Sequence, residues 1–264
     1  MLKSENQLNL YGLYNQINEL IKLYKNRILP NKILLSGTKG LGKSTMAYHF
    51  INYVLSEDEK YFYDNKNFKI NPENKSFKLI QNKTSPNFIL IDIQTDKKNI
   101  DISQVRNLIN NLQKTSFNSK PRFILIDNIE FLNLNSINAL LKILEEPTIN
   151  SYFILINNDK KILPTLKSRC LNFRISLSNR ESIEVSNKLI NRNVSDVINS
   201  NLLDYYASPG KIYNLIKFSE ENKIDLKEID LYNLINVIIS KNFYKKNNLI
   251  QNLILDFIEL YLVK

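Results

Sequence analysis

The ten residues SGTKGLGKST, Ser36 to Thr45, constrain the fold of this chain more than any other stretch. They fit the phosphate-loop pattern G-x-x-x-x-G-K-[ST] from Gly37 through Lys43 and Ser44. They stand between a short apolar strand, Ile33 to Leu35, and a helix over Lys43 to Leu55, the strand-loop-helix context the motif requires. The chain has only five glycines, and Gly37, Gly40 and Gly42 lie in this loop. Glycine is kept where the backbone takes positive φ or closely approaches a ligand, and a phosphate cradle asks for both. In such a cradle the backbone N–H groups of Thr38, Lys39, Gly40, Leu41, Gly42 and Lys43 point inward. Thr45 follows in the first turn of a helix whose positive end faces the anion. Lys43 then reaches the β and γ phosphates of ATP or ADP, and Ser44 offers its hydroxyl to Mg2+.

Apolar periodicity organises the rest. Leu10, Leu13, Ile17, Leu20 and Ile21 mark a helix over Asn9 to Lys25, and Met46, Ala47, Phe50, Ile51 and Val54 the inner side of the helix after the loop. Ser56 to Pro86 is polar and reads as loop with one short helix. Strands are expected at Phe88–Ile93, Arg122–Asp127, Tyr152–Ile156 and Leu171–Ile175, with a helix over Ile102–Leu112 and another, capped by Asn135, running up to Pro147. Alternating strands and helices predict an α/β fold, a parallel sheet covered on both faces. Beyond Ile175 the pattern is all-helical: 180–191, 194–206, 211–221, 228–241 and 248–263, with Ser208-Pro209-Gly210 as the clearest break.

Composition sets limits. At 264 residues and 43% hydrophobic, the chain can bury one sizeable core and a smaller satellite. No apolar run approaches the roughly 20 residues that span a bilayer, and the first residues lack a signal-peptide pattern, so a soluble, cytoplasmic protein is expected with no membrane partner. The single cysteine, Cys170, rules out an internal disulfide and any zinc site built on several thiolates. The net charge of +10 is a weak sign of DNA binding in a chain rich in Lys and Asn, since a solvated lysine face is the plainer explanation.

Four positions bear on chemistry outside the loop. Asp127 closes the strand RFILID, where a carboxylate either holds Mg2+ beside the phosphate loop or caps a turn. The next residue is Asn128, and an amide can hold a water but cannot take its proton at neutral pH. Glu130, two residues on, is expected to leave the strand end in another direction. Arg169, in LPTLKSRCLNF, precedes the last strand and either projects as an arginine finger acting in trans or pairs with a local carboxylate.

Together "RILPNKILLSGTKGLGKSTMAYHF", "RFILIDNIEFLNLNSINALLKILEEP" and "KILPTLKSRC", with "SPGK" downstream, resemble the bacterial clamp-loader subunits of DNA polymerase III, most closely the delta-prime-like ones. The resemblance implies an AAA+ P-loop NTPase fold: a RecA-like α/β domain over 1–175, a helical lid over 176–222 and a short helical collar-like region over 223–264. It implies a ring with gamma/tau-like and delta-like subunits, which loads the sliding β clamp on primed DNA during replication. By position it makes residues 37–45 the nucleotide loop, Asp127 the magnesium-associated acid, Asn157 the polar sensor on the fourth strand and Arg169 the finger that serves a neighbour. Lys211 falls near the lid's contact with nucleotide. Many relatives hold zinc through cysteines in the insert after the first helix; this insert has none, and zinc is not expected. The leading expectation is a subunit that binds nucleotide without hydrolysing it. The alternatives are an ATP-hydrolysing gamma/tau-like subunit and a free-standing P-loop kinase or nucleotidase, for which the lone His49 would be a poor base.

Overall fold

The computed structural model describes residues 3–94, 97–112, 118–146, 150–203 and 207–243, together with Leu255 and Ile258. The chain divides into two compact units, one ending at Ser176 and the other beginning at Leu177. Among the described residues no helix is long and apolar enough to cross a membrane.

The first unit is a five-stranded parallel sheet of β1 (Lys32–Ser36), β2 (Phe88–Ile91), β3 (Arg122–Ile126), β4 (Ser151–Asn157) and β5 (Leu171–Arg174), ordered β2-β3-β4-β1-β5. Strands covered on both faces must be apolar at every position. That is why the near-continuous runs Phe123–Ile126 and Phe153–Ile156 lie in the middle, fully buried. The edge strands carry the exposed apolar residues Leu90 and Leu171. The helices are α1 (Tyr14–Lys25), α2 (Lys43–Leu55), α3 (Lys75–Gln81), α4 (Ile102–Leu112), α5 (Leu134–Glu145) and the short α6 (Pro164–Lys167). Helix α2 is buried almost all round: Met46, Ala47, Phe50, Ile51 and Val54 face the core, and His49 and Asn52 are enclosed as well.

Two local expectations are corrected. Helix α1 starts at Tyr14 and not at Asn9, because the backbone of Leu8 to Leu10 pairs with the insert: Leu10 N–H donates to Phe68 O at 3.0 Å and Ile70 N–H to Leu8 O at 2.8 Å. Gly12 and Leu13, both at positive φ, then turn the chain into the helix. The cap of α5 is Asn133, whose side chain accepts from Ser136 N–H at 2.8 Å. Asn135 already lies in the first turn, where its side chain cannot serve the N–H groups behind it.

The insert after α2 is held by polar contacts. Asn74 caps α3, Glu59 accepts from Lys75 N–H at 2.8 Å and Ser76 N–H at 3.1 Å, and the buried Asn52 donates to Asn74 Oδ1 at 2.9 Å. His49 joins three segments: its Nε2 lies 3.0 Å from Gln7 O and its Nδ1 3.0 Å from the Tyr63 hydroxyl. A carbonyl only accepts, so Nε2 carries the proton and Nδ1 accepts from Tyr63. Burial pushes this imidazole down to about 4, and it stays neutral.

The second unit contains α7 (Asn179–Ile190), α8 (Ser200–Leu203), α9 (Pro209–Asn222) and α10 (Leu231–Ser240). Ser178 and Glu181 form a capping box on α7, and Ser208 with Pro209 starts α9. The single helix expected over 194–206 is instead a 3-10 turn at Val194–Asp196 followed by α8, because Asn199 N–H leaves the helical ladder to donate to Leu226 O at 2.8 Å. Residues 204–206 of that expectation, Pro147, and most of the helix expected over 248–263 lie outside the described residues. Val194, Ile198, Ile212, Ile216, Leu226, Leu234 and Ile238 share one apolar core.

Candidate functional site

The site forms where β1, β3 and β4 end. Parallel pairing sets Ser36 beside Asn157 and Ile126 beside Ile91, so the residues following these strands meet at one rim. Gly37, Gly40 and Gly42 take φ of 148°, 88° and 91°. A Cβ on Gly37 would stand 2.1 Å from Ile175 O, so the loop passes the end of β5 too closely for a side chain. Leu41 is buried beneath the loop, Lys39 is exposed, and Thr45 is half-buried in the first turn of α2. Thr38 donates from its hydroxyl to Asp159 Oδ2 at 3.0 Å.

Lys43 is only 3% exposed, and its ammonium donates to Gly37 O at 2.5 Å and Thr38 O at 2.7 Å. Burial lowers its pKa to about 8, against the pull of Asp127, Asp159 and Glu130. Ser44 bonds to the Asp127 carboxylate, whose pKa rises to about 6, chiefly through burial and then through the neighbouring Asp92; Ser44, Asn128 N–H and Lys43 act the other way. A half-buried carboxylate beside a like charge favours a proton or a divalent cation. With the Ser44 hydroxyl adjacent, it fits Mg2+, which takes one or two carboxylates plus phosphate oxygens.

Asn128 stands at φ 57°, in the left-handed region that Asn tolerates. Its amide is committed on both sides: Nδ2 donates to Asp92 Oδ1 at 2.8 Å, and Oδ1 accepts from Asn158 Nδ2 at 2.9 Å. Contrary to expectation, Glu130 returns to this rim. The 3-10 turn Ile129–Phe131 brings its carboxylate back to accept from Asn158 Nδ2 at 3.0 Å and Asn158 N–H at 3.3 Å. Asn157, buried at the end of β4, closes its own turn: Nδ2 donates to Lys160 O at 2.9 Å, and Oδ1 accepts from Lys160 N–H at 3.1 Å. Its neighbour Asn158 is the amide that meets Glu130 and Asn128.

Sequence reasoning thus missed Asp92, Asn158 and Asp159. All follow directly on the ends of β2 and β4, and the first polar residues after each apolar strand would have found them. Arg169, after α6, pairs with Glu145 at the end of α5, so the local carboxylate weighed from the sequence is present.

The strand order, a phosphate loop after β1, an acid after β3 and a helical unit that follows in the chain define an AAA+ P-loop fold. The sequence pattern of the family described as "DNA polymerase III, delta subunit" matches residues 13–179, and the chain belongs to that family. It is 32% identical over 169 residues to the DNA polymerase III subunit gamma of Buchnera aphidicola subsp. Schizaphis graminum, covering 62% of this chain and 44% of that one. To the subunit delta' of Pseudomonas aeruginosa it is 31% identical over 139 residues, 52% of this chain and 40% of that one. To the subunit delta' of Buchnera aphidicola subsp. Baizongia pistaciae it is 27% identical over 244 residues, 87% and 70% of the two. The chain therefore spans less than half the length of the first two relatives.

Proposed function

We propose that this chain is a delta-prime-like clamp-loader subunit that grips ATP or ADP without hydrolysing it at a useful rate and offers Arg169 to the nucleotide of a neighbouring gamma/tau-like subunit. With delta-like partners it completes a cytoplasmic ring that opens the sliding β clamp and loads it on primed DNA. Ser44 and Asp127 would hold Mg2+, which when bound neutralises phosphate charge. Residues 37–45 supply the loop, and Asn157 orders the turn beside it.

The observation that carries this proposal is Asn128. It stands directly after the magnesium-side acid, is bonded to Asp92 and Asn158, and has no basic atom with which to take a proton from water. A second reading, an ATP-hydrolysing gamma/tau-like subunit, is favoured by the return of Glu130 to the rim and by the identity to a gamma subunit. Turnover separates the two. The purified chain is expected to hydrolyse ATP near background. Arg169→Ala in the complex reconstituted with gamma/tau-like and delta-like subunits is expected to lower the ATPase stimulated by clamp and primed DNA. Robust hydrolysis by the chain alone would install the second reading.

A further inference from the structure

Arg169 does not hang loose in solvent. Its Nε donates to Glu145 Oε1 at 3.0 Å, Nη2 to the same oxygen at 2.5 Å, and Nη1 to Thr165 O at 2.7 Å. A guanidinium has five N–H groups in one rigid plane; among the described residues these contacts use three and leave two. Glu145 is the last residue of α5, where a carboxylate opposes the helix dipole, so the helix gains nothing from an acid there. The ion pair is 33% and 55% exposed on its two sides, and pairs so open to water add little to folding. What it does achieve is orientation: two donors on one oxygen and a third on a carbonyl fix the plane of a side chain that otherwise samples many rotamers.

We propose that Glu145 is a positioning residue for Arg169, holding the guanidinium so that its two remaining N–H groups meet phosphate oxygens of a nucleotide bound by the adjoining subunit. This rests on Arg169 acting in trans. The test uses the full chain in the reconstituted complex, with ATP as substrate and clamp and primed DNA as stimulants. Glu145→Ala is expected to lower kcat by the same factor as Arg169→Ala, to within about threefold, with KM for ATP unchanged because the neighbour's own loop grips the nucleotide. Glu145→Gln, which keeps an acceptor oxygen in place, is expected to recover most of the loss. The double variant is expected to be no slower than Arg169→Ala alone. If Arg169→Ala slows turnover while Glu145→Ala does not, or if the two losses multiply, or if Glu145→Ala speeds turnover, the positioning role is wrong and the finger stands. If Arg169→Ala changes nothing, both fall.

Discussion

Lys43 and Asp127 are the two groups whose ionisation the fold disturbs most usefully. A polyanion bound at the loop favours the charged ammonium, so affinity for nucleotide is expected to be full below about pH 8 and to fall as pH rises past it, by isothermal titration calorimetry at fixed Mg2+. Lys43→Ala is expected to abolish binding at millimolar nucleotide across the whole range. Asp127 has the opposite bearing on folding. Its carboxyl is raised from 3.8 to about 6, so ionising it costs stability; that cost is absent below about pH 4, grows between pH 4 and 6, and is complete above. Without Mg2+, Asp127→Asn is therefore expected to unfold at a higher temperature than the parent at pH 7. The gain is about 1–3 kcal/mol, and the two curves converge by pH 4.

At the scale of elements, caps and close approaches make the sharper tests. Asn133→Ala is expected to cost about 1 kcal/mol by removing the bond to Ser136 N–H, while Asn135→Ala, inside the first turn, costs a few tenths or nothing. Gly37→Ala drives a methyl against Ile175 O and is expected to lose about 1–3 kcal/mol; Gly210→Ala, in the first turn of α9, gains about 0.5–1. Urea titrations read all four. These pairs also mark how far the sequence could be read. RFILID announced a buried strand because its four central positions, Phe123 to Ile126, are all apolar, and Lys43 to Leu55 announced a helix with the same bounds as α2. The start of α1 was not legible, since the residues before it pair with Phe68 and Ile70, some sixty positions away. The acid-amide rim was legible in part: Asp92, Asn128 and Asn158 each follow an apolar strand of a parallel sheet, but the return of Glu130 depends on one 3-10 turn that no local pattern announces.

In the whole molecule, each unit owns an apolar core. Phe123 and Leu234, both fully buried, belong to different ones. Leu234→Ala, at a cost of about 2–5 kcal/mol, and Phe123→Ala, at about 3–5, are expected to lower different transitions in scanning calorimetry. A single transition displaced equally by both would mean the units melt as one. The packing of Gly37 against Ile175 has a further consequence for how such a chain ages. Because the bare backbone at position 37 is demanded by the strand next to it, selection for folding alone will preserve that glycine even in a lineage that no longer uses a triphosphate. Lys43 and Ser44 make hydrogen bonds in the fold but no backbone clash forbids their replacement, so disuse would be written there first.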